Sequence, residues 1–198
     1  MSRAVIYPPL VVPPHASTVW ELVSPASAGA HRALWSYTED VASRYYGRHS
    51  TAAEVEAYLR DDPSDDLEMP SGFFLLAQQY DEVVGCVGLR LLPDAIGEVK
   101  RLHVVPAARG RGLGARLMGE LERLACQHGR SRLRLDTRSD LAEARRLYAR
   151  LGYQEVPPFN AGQYAEHWFE KTLTYQSRVL PGDAEERVVG ASGPRKAG

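Results

Sequence analysis

The sequence predicts an α+β protein built on a mixed, mostly antiparallel central sheet flanked by helices. Two observations carry that prediction. The apolar period switches between two and 3.6 residues along the chain, in the order β-α-α-β-β-β-α-β-α-β-β. Two long apolar runs, GFFLLAQQY and EVVGCVGLRLL, meet at Asp81 with room only for a tight turn, which makes them antiparallel neighbours. A chain of 198 residues is long enough to bury one good core, so a single domain is expected.

The elements follow in order. Pro8, Pro9, Pro13 and Pro14 break regular structure, so residues 1–15 read as a Pro-rich extension. STVWELV (Ser17–Val23) alternates like a strand. From Ala28 to about Tyr46 the spacing of Leu34, Tyr37, Val41 and Tyr45 is helical. Thr51 and Glu54 form a capping box for a second short helix ending near Leu59. GFFLLAQQY, EVVGCVGLRLL and GEVKRLHVV are three strands. Leu113, Leu117, Leu121, Leu124 and His128 then stripe a helix that Gly129 ends. LRLDT (Leu133–Thr137) is a short strand, and Asp140 with Glu143 reads as a second capping box, for a helix that stops at Gly152. A last strand is expected over roughly Tyr164–Thr174. The domain thus spans 16–176, and the Gly-, Pro- and charge-rich segment 177–198 reads as a disordered tail.

Composition narrows the function classes. A formal net charge of -1 gives no general attraction to nucleic acid or an anionic membrane, so any anion site must be local. Cys86 and Cys126 lack metal-ligand spacing, which argues against zinc and against a disulfide framework and suits a reducing cytoplasm. No apolar run reaches the length of a membrane span, and MSRAVIYPPLVVPP lacks the apolar core of a signal peptide. The expectation is a cytoplasmic protein without metal, nucleic-acid or membrane partners.

The stretch VVPAARGRGLGARLM concentrates glycine and arginine between a strand and a helix. Gly110, Gly112 and Ala115 satisfy the G-x-G-x-x-A pattern of a dinucleotide site. Against that reading, Pro106–Arg109 intervene after the strand, the strand carries Glu98, Lys100 and Arg101, and antiparallel strands precede it. A pyrophosphate site fits better. A helix start offers unpaired N–H groups and the positive end of the dipole, Gly110, Gly112 and Gly114 keep side chains out of the way, and Arg109 and Arg111 add charge-assisted hydrogen bonds.

Arg109, Gly112 and Gly114 match Q/R-x-x-G-x-G/A, and with LHVVP before and LDTRSDLAEARRLYARLGY after, the chain resembles the GNAT superfamily of N-acetyltransferases over roughly residues 17–175. The resemblance implies the acyl-CoA N-acyltransferase fold and acetyl-CoA as the acetyl donor. It implies a central strand splayed from its neighbour, with backbone groups of Leu102 and Val104, and His103 between them, meeting the thioester and pantetheine. Gly110, Arg111, Gly112, Leu113, Gly114 and Ala115 then cradle the pyrophosphate. An N–H near Leu102 suits the oxyanion. Tyr148 in RRLYARLGY matches the family's general acid. Glu98 matches a glutamate that serves as base in histone-acetylating members, and period-two alternation puts it on one strand face with Leu102 and Val104. Asp140 stands where the family commonly has Asn; it keeps the helix cap but loses the amide donor to the coenzyme.

PPFNAGQYAEHWFEKTL resembles an ending recurrent in bacterial small-molecule members, and places Asn160, Tyr164 and Trp168 at an acceptor pocket. Residues Trp35–Tyr46, with Glu39 and Asp40, are expected along the acceptor groove. The implied reaction is direct acetyl transfer to a primary amine of a small molecule. A protein N-terminal or lysine acetyltransferase and a non-catalytic acyl-CoA sensor are the alternatives. Homodimers are common in the family, and no segment of the sequence marks an interface.

Overall fold

The computed structural model describes residues 17–174; the Pro-rich extension and the tail predicted from residue 177 lie outside the described residues. Seven strands form one sheet in the order β1-β2-β3-β4-β5-β7-β6. They are β1 (Val19–Val23), β2 (Gly72–Gln79), β3 (Glu82–Leu92), β4 (Ile96–Val104), β5 (Arg132–Thr137), β6 (Gln154–Val156) and β7 (His167–Thr172). Only β4 and β5 run parallel; the other neighbours are antiparallel, as the tight turn at Asp81 predicts for β2 and β3.

Four helices cover the sheet: α1 (Ala28–Tyr46), α2 (Ala52–Asp61), α3 (Leu113–Gln127) and α4 (Ala142–Arg150). Ser27 caps α1 by accepting from the Ala30 N–H at 3.2 Å. The capping box predicted for α2 forms: Thr51 N–H donates to Glu54 at 2.7 Å, and Glu54 N–H donates to Thr51 Oγ1 at 3.3 Å. The second predicted box does not form. Leu141, not Asp140, is the N-cap of α4: Arg138 takes the Asp140 carboxylate in a two-pronged pair at 2.6 and 2.8 Å, and Glu143 pairs with Arg44. The last strand starts later than predicted, since Tyr164 lies in a turn and β7 begins at His167.

Each sheet face has its own core. On one face Leu117, Met118 and Leu121 of α3 pack fully buried against Val99, Leu133 and Leu135, with Leu102 and Val104 against the same cluster. Each such leucine removed from water contributes about 1.5–3 kcal/mol. On the other face α1 sets Ala30, Ala33 and Leu34 on Phe74, Leu76 and Cys86.

Two irregularities of β4 shape everything that follows. Its parallel pairing with β5 stops at Glu98↔Arg134, so the strands part from there to Val104. Against β3, Gly88 faces Lys100 while Cys86 faces His103, so Arg101 and Leu102 both stand opposite Val87. Arg101 makes this bulge with a left-handed φ of 57°, a conformation that costs a non-glycine residue about 1–2 kcal/mol.

Candidate active site

The segment expected to hold the donor is built around backbone groups. Strand β4 ends at Val104, a 3-10 turn (Pro106–Ala108) redirects the chain, and α3 starts at Leu113. Its first turn closes with the Arg116 N–H on Gly112 O at 3.1 Å, so the N–H groups ahead of Arg116 project from the helix start. Gly110 and Gly112 hold φ of 75° and 74°, and a Cβ built on either meets open space. The backbone at these two positions is therefore unscreened by side chains, the chemistry a pyrophosphate needs at a helix start. Gly114 also has a packing role. A Cβ there approaches the Leu147 side chain to 3.2 Å, so this glycine lets α3 and α4 come together.

Arg109 differs from expectation. Its guanidinium donates to Val104 O at 2.8 Å and pairs with Asp40 of α1 at 2.7 Å, which ties the loop to β4 and α1. Asp40, expected along the acceptor groove, is thereby a strut of the donor loop, and Arg44 also approaches it at 3.5 Å.

Tyr148 of α4 belongs to the core on the α3/α4 face. It is buried against Tyr153 and Phe169, and burial pushes its phenol well above the ordinary range, with Tyr37 and Asp136 adding to the effect.

Glu98 is not on the face that alternation predicts. The extra residue in the bulge reverses the parity of β4, leaving Val99, Leu102 and Val104 on the α3/α4 face and Glu98, Lys100 and His103 on the α1/α2 face. There Glu98 is buried. One oxygen meets Lys100 at 2.7 Å and the other Arg134 at 3.2 Å. Burial raises its pKa, but the two cations outweigh that and hold it below the usual carboxylate range.

Asp136 on β5, whose spacing from the glycine turn suits the ribose-binding acid of the dinucleotide pattern set aside above, has no part in the acetyltransferase site expected from the sequence. Its Oδ1 accepts from Asn160 at 3.0 Å and faces Lys100 at 3.4 Å across the parted strands. Trp168, opposite Asp136 on β7, donates to Asn160 Oδ1 at 2.8 Å. Asn160 and Trp168 therefore come together as predicted, around an aspartate. Tyr164 contacts the helices instead, its hydroxyl 3.2 Å from that of Tyr58 on α2 and its ring edge-on to Tyr45 of α1. His103 lies under α1, 3.1 Å from Ser36 Oγ and edge-on to Tyr37, and burial lowers its pKa to about 4. Asp140, held by Arg138, has its pKa lowered by that pair.

Among the described residues no three His, Cys, Asp or Glu side chains are grouped to hold a metal ion, and no helix is long and apolar enough to cross a membrane.

Known proteins are similar to this chain in sequence and in fold. The chain is 37% identical over 94 residues to the IAA acetyltransferase of Azospirillum brasilense, covering 47% of this chain and 61% of that protein. It is 33% identical over 102 residues to the aminoalkylphosphonate N-acetyltransferase of Salmonella typhimurium, covering 49% and 66%. The matches thus span a little under two thirds of those relatives. A Klebsiella pneumoniae protein assigned to the acyl-CoA N-acyltransferases superposes with a TM-score of 0.64 at 25% identity, covering 81% of this chain and all of that one. The sequence pattern of the acetyltransferase (GNAT) family matches residues 34–153, more than half of the chain, and the protein belongs to that family.

Proposed function

We propose that the protein transfers the acetyl group of acetyl-CoA to a primary amine of a small molecule, by direct attack. The observation that carries this reading is a glycine turn at the start of α3 following a strand, β4, whose pairing with β5 ends at Glu98, with Tyr148 buried in the core on the α3/α4 face. Gly110 to Ala115 hold the pyrophosphate, and Leu102 and Val104 of β4 border the pantetheine. The donor supplies a thioester whose acyl carbon is open to an amine. The Leu102 N–H, at the bulge where β4 and β3 lose one-to-one pairing, is assigned to the oxygen that gains charge. Tyr148 gives its proton to the departing sulfur; a phenol kept protonated by burial suits an acid.

An alkylamine is mostly protonated at neutral pH, so a proton must leave first. Glu98, committed to Lys100 and Arg134 and held in its ionised form, suits the task poorly. We assign it instead to fixing Lys100 and assign Asp136 to binding the ammonium group and receiving its proton. Asn160 and Trp168 orient Asp136 through their hydrogen-bond chain. The tyrosines of α1, α2 and the β6–β7 connection wall a groove suited to a compact amine rather than an extended peptide.

The test is release of coenzyme A thiol from acetyl-CoA across amino acids, polyamines, aminoglycosides and short peptides. Release above hydrolysis with a small amine supports the reading. Release with peptides alone would replace it by a protein acetyltransferase. A melting temperature raised by acetyl-CoA without any release would favour the sensor.

A further inference from the structure

Arg101 is the one residue of β4 with a left-handed backbone, and its side chain is the most heavily anchored near the bulge. Its Nη2 donates to Asp62 O at 2.6 Å, its Nη1 meets the Asp62 carboxylate at 2.9 Å, and its Nε donates to Ser64 Oγ at 3.1 Å. The guanidinium also lies over the Tyr37 ring at 5.5 Å. On the backbone side, the buried Cys86 thiol donates to Arg101 O at 3.3 Å. That carbonyl belongs to the peptide whose N–H is Leu102's. A rigid peptide plane turns both together, so holding the carbonyl on one side of the strand aims the N–H to the other.

No turn chemistry at this position calls for arginine. Glycine takes a left-handed φ without a steric cost and is the usual occupant of such a bulge. The arginine is explained by what its far end grips: the segment after α2, which carries Asp62 and Ser64 and continues the helix that contributes Tyr58 to the groove.

We infer that Arg101 is a positioning residue, a clamp between the α2–β2 connection and the β4 bulge that fixes the Leu102 N–H toward the thioester oxygen. The inference rests on the acetyltransferase reading above, in which that N–H is assigned to the oxygen. It makes the carbonyl-polarising group a property of the acceptor-side wall as well as of β4, so that distortion of the α2–β2 connection reaches the reacting carbonyl through one side chain.

The test needs no acceptor. Acetyl-CoA labelled with carbon-13 at the thioester carbonyl is bound to the full chain, and its carbonyl stretch is read by infrared difference spectroscopy. A hydrogen bond from the Leu102 N–H lowers that frequency relative to free acetyl-CoA. In Arg101→Gly, which accepts the left-handed φ but removes the clamp, the lowering is expected to shrink by about half or more while acetyl-CoA affinity stays within about twofold. Asp62→Ala with Ser64→Ala loosens the same clamp without touching β4 and is expected to shift the band in the same direction. It carries the test if Arg101→Gly does not melt cooperatively. An unchanged band in the folded variants overturns the clamp, as does a band that weakens only in step with lost affinity. Acetyl-CoA that fails to bind the parent protein overturns the transferase reading itself, and the clamp loses its purpose with it. A purely structural arginine lowers the melting temperature and leaves the band where it was.

Discussion

The glycine turn ahead of α3 and the groove between α1, α2 and the β6–β7 connection each complete one half of the site, by opposite means. The donor half is contiguous. Residues 110–115 are consecutive, and Arg109 just ahead of them is anchored on Asp40 of α1. The acceptor half is assembled from side chains brought from every quarter: Tyr58 and Tyr164 are 106 positions apart, and Lys100 and Asp136 are 36 apart. A backbone site needs few residue identities, whereas a side-chain site changes its chemistry with each substitution. That difference lets one fold keep a common donor and vary its acceptor.

The largest effect is expected where the halves meet. Tyr148→Phe keeps the ring packing against Tyr153 and Phe169 but removes the proton. Turnover is expected to fall by about 10²–10⁴-fold, with acetyl-CoA affinity unchanged in a direct binding titration. A loss of affinity in step with turnover would move Tyr148 from chemistry to packing.

His103 also belongs to both halves, since it shares the bulged strand with Leu102 and contacts α1 through Ser36. Its folded pKa of about 4 lies below the unfolded value of roughly 6.5. The unfolded chain therefore binds the proton first as pH falls. Stability from this group is complete above pH 6.5 and drains away toward pH 4, by roughly 3 kcal/mol in all. Urea midpoints at pH 7 and pH 5 should differ more in the parent than in His103→Gln. Equal differences would show that the imidazole protonates freely in the folded protein.

These contrasts explain what was legible beforehand. The order of strands and helices could be read because apolar periods and the Thr51–Glu54 cap are local signals. So could the cradle, whose glycines are adjacent. Glu98 was assigned to the wrong face because an arginine at left-handed φ leaves no trace in the sequence, and one inserted residue reverses the parity of a strand. Asp140 lost its capping role to Arg138, a competition decided by side-chain geometry. Asp136 was passed over because its meaning depends on Lys100 and Asn160, which only folding brings to it.

Gly112→Val attacks the donor half alone. The branched side chain opposes φ of 74° at a cost of about 1–2 kcal/mol, so acetyl-CoA is expected to bind roughly tenfold more weakly at an unchanged acceptor KM. An equal rise in the acceptor KM would mean that the two halves are not separable.

The converse substitution, Tyr164→Phe, is expected to have the smallest effect. It keeps the ring contact with Tyr45 and deletes one hydroxyl from the pair with Tyr58. Such a bond contributes about 0.5–1.5 kcal/mol net. The acceptor KM should therefore rise by about two- to tenfold, while acetyl-CoA affinity and the thermal shift it produces stay at parent values. The direction is informative even at this size. If the hydroxyl pair only closes the groove against larger molecules, loosening it should admit bulkier amines and leave the best acceptor unaffected. If it touches the acceptor, KM rises for that acceptor first. Measuring KM for two amines of different girth separates these outcomes, and in either case the donor half should be indifferent because none of its support passes through Tyr164.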